Sequence, residues 1–326
     1  MSPAHVGTVW LPRLTATAVL CTLAACGGRP APRHVATAPL RFTTGAPGGG
    51  FYPLGESLAR AYAQGTPPIA IETHPSAGAV ANVEALQRGD ADLGFAFADV
   101  AYLAFAGRLT GENHPFDELR GIAVLQLTPV QLVARAGTNI TSVADLRGRH
   151  VGVGLPGTGT ALAAELILEA FGILPEVRVE RLEFSDASRR LVSGTLDAMF
   201  SDVIYPAESV SLATSANGRL LPISGAPVER LRHDYPFFRT AIIPRGTYPG
   251  VTSPVHTIGI DSLLICRKDL PEPVVYALTT RLFDILPTLS SSFDALRLMD
   301  LHRSPATPIP LHDGAAQFYR ERELGR

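Results

Sequence analysis

Leu86-Gln-Arg-Gly89-Asp-Ala-Asp92-Leu-Gly-Phe95 recurs later in the chain as Leu191-Val-Ser-Gly194-Thr-Leu-Asp197-Ala-Met-Phe200, with leucine, glycine, aspartate and phenylalanine at the same spacing. Each copy reads as a helix ending on a glycine cap, then a turn into a buried strand. Four matching positions arise easily by chance, and the segments upstream give the match its weight. Before the first copy stand Leu40-Arg-Phe-Thr-Thr44, the loop Gly45-Ala-Pro-Gly-Gly-Gly50 and a helical pattern over 52–62. Before the second stand His150-Val-Gly-Val-Gly154, the loop Leu155-Pro-Gly-Thr-Gly-Thr160 and a helical pattern over 161–171. The shared order is strand, glycine-rich loop, helix, further elements, helix, glycine, aspartate, strand. It predicts an α/β fold of two lobes built on one plan.

The loops have a common physical consequence. Glycine lets backbone approach a ligand closely, and a helix that follows presents unpaired N–H groups and the positive end of its dipole. Two such ends facing one cleft would hold a carboxylate without a basic side chain. Gly152-x-Gly154-x-x-Gly157 also spells a dinucleotide fingerprint, but a lone match is weak, and the hydroxyls of Thr158 and Thr160 suit a smaller solute. A tight turn with no ligand is the plain alternative.

Strand-like runs over 125–135, interrupted by Pro129, and over 257–267 are placed to cross between lobes. The expected partition is a discontinuous first lobe, 40–135 plus 256–326, and a second lobe, 136–255. The amphipathic pattern over 271–285, with Val274, Val275, Leu278, Leu282 and Ile285, predicts a helix returning to cover the first lobe.

Composition removes several alternatives. The 326 residues carry a net charge of −2, which leaves no basic face for nucleic acid. Lys268 is the only lysine, so there is no Walker loop and no Ser-x-x-Lys. No His-Glu-x-x-His, paired cysteines or Gly-x-Ser-x-Gly elbow occurs, so the reading is non-enzymatic and without a cofactor, with any metal requirement left open. Cys266 lies in an apolar run and reads as an inert core thiol.

The opening residues read as an address. Arg13 precedes an apolar run over 14–23 that is too short to span a bilayer. It ends in Leu23-Ala24-Ala25-Cys26. The pattern predicts a signal peptide over 1–25 and resembles a bacterial lipobox, with Cys26 acylated as the new first residue. Residues 26–39 would form a tether, and the chain would work in the periplasm or at the cell surface, anchored without spanning.

At this point the chain resembles the TAXI group of solute receptors, which serve tripartite ATP-independent periplasmic (TRAP) transporters. The resemblance runs through Thr44-Gly45 to Phe51-Tyr52-Pro53-Leu54-Gly55, Ser76-Ala-Gly-Ala-Val-Ala-Asn82, and 86–102. It continues through Asp145-Leu-Arg-Gly148, the Gly154 to Thr160 loop, Asp197-Ala-Met-Phe200, Ile243-Pro-Arg-Gly-Thr-Tyr248 and the tail from Pro310. It implies a two-lobed periplasmic binding protein of type II, with a ligand cleft between its lobes. Such a receptor delivers a small organic acid or amino acid, glutamate-like or another carboxylate, to a TRAP-type permease. A sensory or ABC-linked binding lipoprotein and an exported hydrolase are the alternatives. Gly50, Phe51, Ala79 and Phe97 stand where the family often has hydroxylated or polar residues, which points to a less hydroxylated, more apolar carboxylate.

The candidate ligand-binding residues are Thr44, Gly45, Gly50, Phe51, Tyr52, Ser76, Gly78, Ala79 and Asn82 from the first lobe. Thr158, Gly159, Thr160, Asp202, Tyr205 and Tyr248 come from the second. The serines and threonines could instead be helix caps. Asp99 and Asp202 follow the duplicated strands and could meet an ammonium group or a bound cation, or act only as caps or surface ion pairs. Arg135, Arg239 and Arg245 are possible carboxylate clamps.

Overall fold

The computed structural model describes residues 38–323 except 48, 110–113, 204, 293–295 and 297–298. The expected signal peptide, the lipid site Cys26 and nearly all of the tether lie outside the described residues. The first copy folds as β1 (Leu40–Thr43), α1 (Phe51–Ala63), β2 (Ile71–His74), α2 (Ala79–Arg88), β3 (Leu93–Phe97) and α3 (Ala98–Phe105). After β4 (Leu119–Pro129) and β5 (Gln131–Ala134), the second folds as β6 (His150–Gly152), α4 (Gly159–Ala170), β7 (Arg178–Glu180), α5 (Phe184–Ser193), β8 (Ala198–Ser201) and α6 (Glu208–Ser215). The chain closes with β9 (Arg219–Leu221), α7 (Ala226–Asp234), β10 (Phe238–Ile243), β11 (Val255–Arg267), α8 (Glu272–Ser292) and α9 (Asp313–Glu321).

The duplication is topological as well as local. In the larger sheet β1 lies between β2 and β3, parallel to both, and β11 runs antiparallel along β3. In the smaller sheet β6 lies between β7 and β8, parallel to both, and β5 runs antiparallel along β8. The orders β11-β3-β1-β2 and β5-β8-β6-β7 therefore share one arrangement. β4 and β10 complete the larger sheet through β11, and β9 completes the smaller through β5.

Each repeated residue does the same job twice. Gly89 (φ 79°) and Gly194 (φ 86°) are left-handed caps, and the next N–H reaches back into the helix, Asp90 to the Ala85 carbonyl (2.8 Å) and Thr195 to that of Arg190 (3.0 Å). Asp92 accepts the backbone N–H of Arg41 (2.8 Å), and Asp197 that of His150 (3.1 Å), so each carboxylate pins the start of its central strand. Burial pushes both carboxyls up, but hydrogen bonds and charge from Arg41 and Arg135 outweigh it and hold them below the usual range. Phe95 and Phe200 are fully buried at the ends of the copies.

Val275, Leu278 and Leu282 of α8 pack with Leu54, Leu58 and Tyr62 of α1 over the larger sheet. The Tyr319 hydroxyl of α9 donates to the Ile122 carbonyl (2.8 Å). The helix α8 thus covers the larger sheet, where the amphipathic pattern predicts it, and α9 joins it there. Cys266 is buried in β11, and desolvation pushes its thiol far above the usual range.

Sheet pairing departs from the expected partition in two places. Gln131–Ala134, expected with the first lobe, joins the smaller sheet, because β8 takes its antiparallel partner from β5. Phe238–Ile243, expected with the second, pairs with the start of β11 in the larger sheet. The chain passes from the larger sheet to the smaller at Val130 and returns between β9 and β10, and both passes lie beside the start of β11, where the Ile223 N–H donates to the His256 carbonyl (3.1 Å). There the Val130 N–H donates to the Ile258 carbonyl (2.8 Å), and the Thr257 hydroxyl donates to the Val130 carbonyl (2.6 Å).

Candidate ligand-binding cleft

The first residues of four helices, Phe51 of α1, Ala79 of α2, Gly159 of α4 and Phe184 of α5, line one cleft. Gly45, Ala46, Gly49, Gly50, Ala77 and Gly78 continue it on the larger-sheet side, and Thr158 and Thr160 on the smaller. Its remaining wall is Phe97, Thr128, Ser262, Asp202 and Val203. The caps of α1, α2 and α5 are Gly50, Gly78 and Glu183, and none makes a side-chain capping bond. Gly78, at φ 137°, holds a conformation that side chains disfavour. Only α4 is capped, by the Thr158 hydroxyl accepting from Ala161 N–H (3.2 Å). Helix ends converging without side-chain caps form an electropositive surface made of main chain.

Nine candidates from the sequence line this cleft: Gly45, Gly50, Phe51, Gly78, Ala79, Thr158, Gly159, Thr160 and Asp202. Six do not. Thr44 is fully buried and donates to the His74 carbonyl (3.3 Å). Ser76 accepts from Gly78 N–H (3.1 Å) and shapes the loop, and Tyr52 lies one residue beyond the lining. Asn82 sits behind the wall, donating to the Thr44 and Phe95 carbonyls (2.7 and 2.8 Å) and accepting from Thr43 (2.7 Å). Tyr205 lines a separate cavity with Arg239, Asp261 and Arg303. The buried Tyr248 hydroxyl donates to Gln131 (2.5 Å) and accepts from Ala207 N–H (3.0 Å), tying the 244–254 loop to the smaller sheet. Sequence reasoning missed Phe184, although the duplication equates it with Ala79. Thr128 and Ser262, bonded to each other at 2.8 Å, come from the crossing strands and carry no local signal.

Among the described residues, the cleft lining contains no lysine, arginine or histidine. Two of the possible clamps are engaged elsewhere, Arg135 with Asp197 (2.9 Å) and Arg239 with Asp261 (2.7 Å), and Arg245 is exposed away from the lining. Its one acid is Asp202, buried, with Oδ1 accepting from the Thr160 hydroxyl and Oδ2 without a partner. Desolvation pushes its carboxyl up to about 6 against the Thr160 bond. Asp99, in the first turn of α3, is also buried. Desolvation, with the charge of Asp202 adding, pushes it to about 8 although Oδ1 accepts from Val100 N–H. Phe51 stacks on Phe95 (4.8 Å between centroids) and packs on Phe97 (5.0 Å), so an aromatic wall faces the α4 terminus.

The NMT1-like family matches residues 42–322. Similar solved structures include MatC from Rhodopseudomonas palustris, described with bound malate, at 16% identity over 87% of this chain and 96% of that one, TM-score 0.57. A putative sulfonate ABC transporter component, the periplasmic sulfonate-binding protein SsuA from Methylobacillus flagellatus, matches at 14% identity over 88% and 95%, TM-score 0.52. A putative L-cystine ABC transporter from Listeria monocytogenes matches at 14% over 81% and 99%, TM-score 0.50. These likenesses are of fold, and the fold is that of type II periplasmic binding proteins.

Proposed function

The chain belongs to the NMT1-like family, and from that premise we propose that it is an extracytoplasmic receptor that captures a small organic carboxylate. The observation that carries this reading is the convergence of four helix N-termini on a cleft free of basic side chains. Main-chain N–H groups and helix dipoles supply what a carboxylate needs there. The apolar remainder of the lining, with Phe51, Phe97 and Phe184, favours an aliphatic or aromatic body over a hydroxylated one. Contact with both halves lets the ligand favour the closed state by its additional contacts.

The receiving partner is a TRAP-type permease, on the strength of the TAXI-like segments, several of which supply the cleft loops. The chain is tethered by lipid on Cys26 and performs no turnover. Calorimetric titration with a panel of three- to six-carbon mono- and dicarboxylates, each with and without an α-amino group, is expected to give saturable binding by at least one member; a flat response throughout would remove the receptor reading. Incorporation of labelled palmitate, lost in Cys26→Ser, tests the anchor. Saturable ester or amide hydrolysis abolished by a cleft substitution would replace the reading with an enzymatic one.

A further inference from the structure

Asp202 is 3% exposed, and its Oδ2 meets no hydrogen-bond donor, although Oδ1 is held by Thr160. The position of that oxygen is informative. A Cβ built on Gly159 would lie 3.4 Å from it and 2.5 Å from Phe97 Cδ2, so the oxygen stands at the first turn of α4, beside the ring. Both residues line the cleft, and among the described residues no basic side chain belongs to the lining. An ionised carboxylate shielded from water without a counter-charge is costly, and the protein provides none at this point.

Resting on the receptor reading above, we infer that the captured molecule is an apolar α-amino acid whose ammonium group donates to Asp202 Oδ2. Its carboxylate lies against the uncapped helix N-termini, and its side chain lies against Phe51, Phe97 and Phe184. An ammonium fits this corner on two grounds. It supplies the missing counter-charge, and the adjoining aromatic rings attract cations. A metal ion fits less well, since the described residues contain no group of three histidine, cysteine, aspartate or glutamate side chains able to hold one. At neutral pH the site is prepared for one positive charge: Asp202, at about 6, is ionised, whereas Asp99, at about 8, keeps its proton.

The test is calorimetry on the purified chain with L-leucine, L-valine and L-methionine, each beside its deamino analogue and its 2-hydroxy analogue. In the wild type at least one amino acid should bind about tenfold or more tighter than both analogues, and in Asp202→Asn that preference should collapse. A deamino or hydroxy acid that binds as tightly as its amino acid overturns the inference and leaves the carboxylate receptor standing. An amine preference that survives in folded Asp202→Asn overturns it as well, because another group then holds the ammonium. No response from any of these compounds overturns the inference; no response from the wider carboxylate panel either removes the receptor reading too. Should Asp202→Asn fail to fold, the wild-type comparison of amine against hydroxyl still decides.

Discussion

Asn82 and Asp99 are both fully buried near the cleft, yet they act on stability in opposite directions. Asn82 uses both ends of its amide, on Thr43, on the Thr44 carbonyl and on the Phe95 carbonyl. Asn82→Ala leaves those buried groups without partners and is expected to cost about 2–4 kcal/mol in urea unfolding. Asp99 instead has an orphan Oδ2. Its folded carboxyl, at about 8, lies above its ordinary value of 3.8, so between those limits the folded state holds a proton that the unfolded chain has released. That contribution is therefore fully present below the unfolded value and is lost as pH rises toward 8. Asp99→Asn keeps an acceptor for Val100 N–H and removes the titration. The variant should exceed wild type by on the order of 1–3 kcal/mol at pH 8 and match it near pH 4. A stability difference that stays constant across that range would show that Asp99 does not titrate as described.

Among the elements, the helix starts carry function and the helix ends carry the fold. The ends were legible: Gly89 and Gly194 stop α2 and α5 because glycine alone takes their backbone angles freely, and a repeated glycine is visible in any sequence. The starts were only half legible, since the glycine-rich loops announce α1 and α4 but nothing local announces Phe184 at the head of α5. Gly159 shows what the sequence withheld. Its place in the loop was readable, whereas its closeness to Phe97, across the cleft, depends on how two distant segments meet. A side chain at Gly159 would press on that ring and stand between the α4 terminus and the ligand. Gly159→Val is expected to weaken carboxylate binding by at least about tenfold, near 1.4 kcal/mol, with little change in thermal unfolding, because the collision is with Phe97 of the other half and opening of the cleft relieves it. Unchanged affinity in the folded variant would remove α4 from the site.

At the scale of the whole molecule, the duplicated plan was readable from periodicity, but the points of passage between the sheets were not. Pro129 breaks the 125–135 run visibly, yet only pairing with β8 shows that the four residues after Val130 belong to the other sheet. Tyr248 was misplaced for a similar reason, as its partner Gln131 lies in that reassigned strand. The two passes, each bonded to the start of β11, Val130 to Thr257 and Ile258 and Ile223 to His256, form the natural axis for opening. The halves already approach each other closely here: a Cβ on Gly78 would sit 3.8 Å from Thr158, and one on Gly159 would overlap Phe97. This conformation is therefore a closed one, and a solute reaching Asp202 needs the halves to part. In small-angle X-ray scattering the free chain is expected to be larger than this structure, and the carboxylate-saturated chain to match it. Scattering that is identical with and without a bound carboxylate would mean that access comes from loop motion alone, and that the paired passes are a rigid brace rather than a hinge.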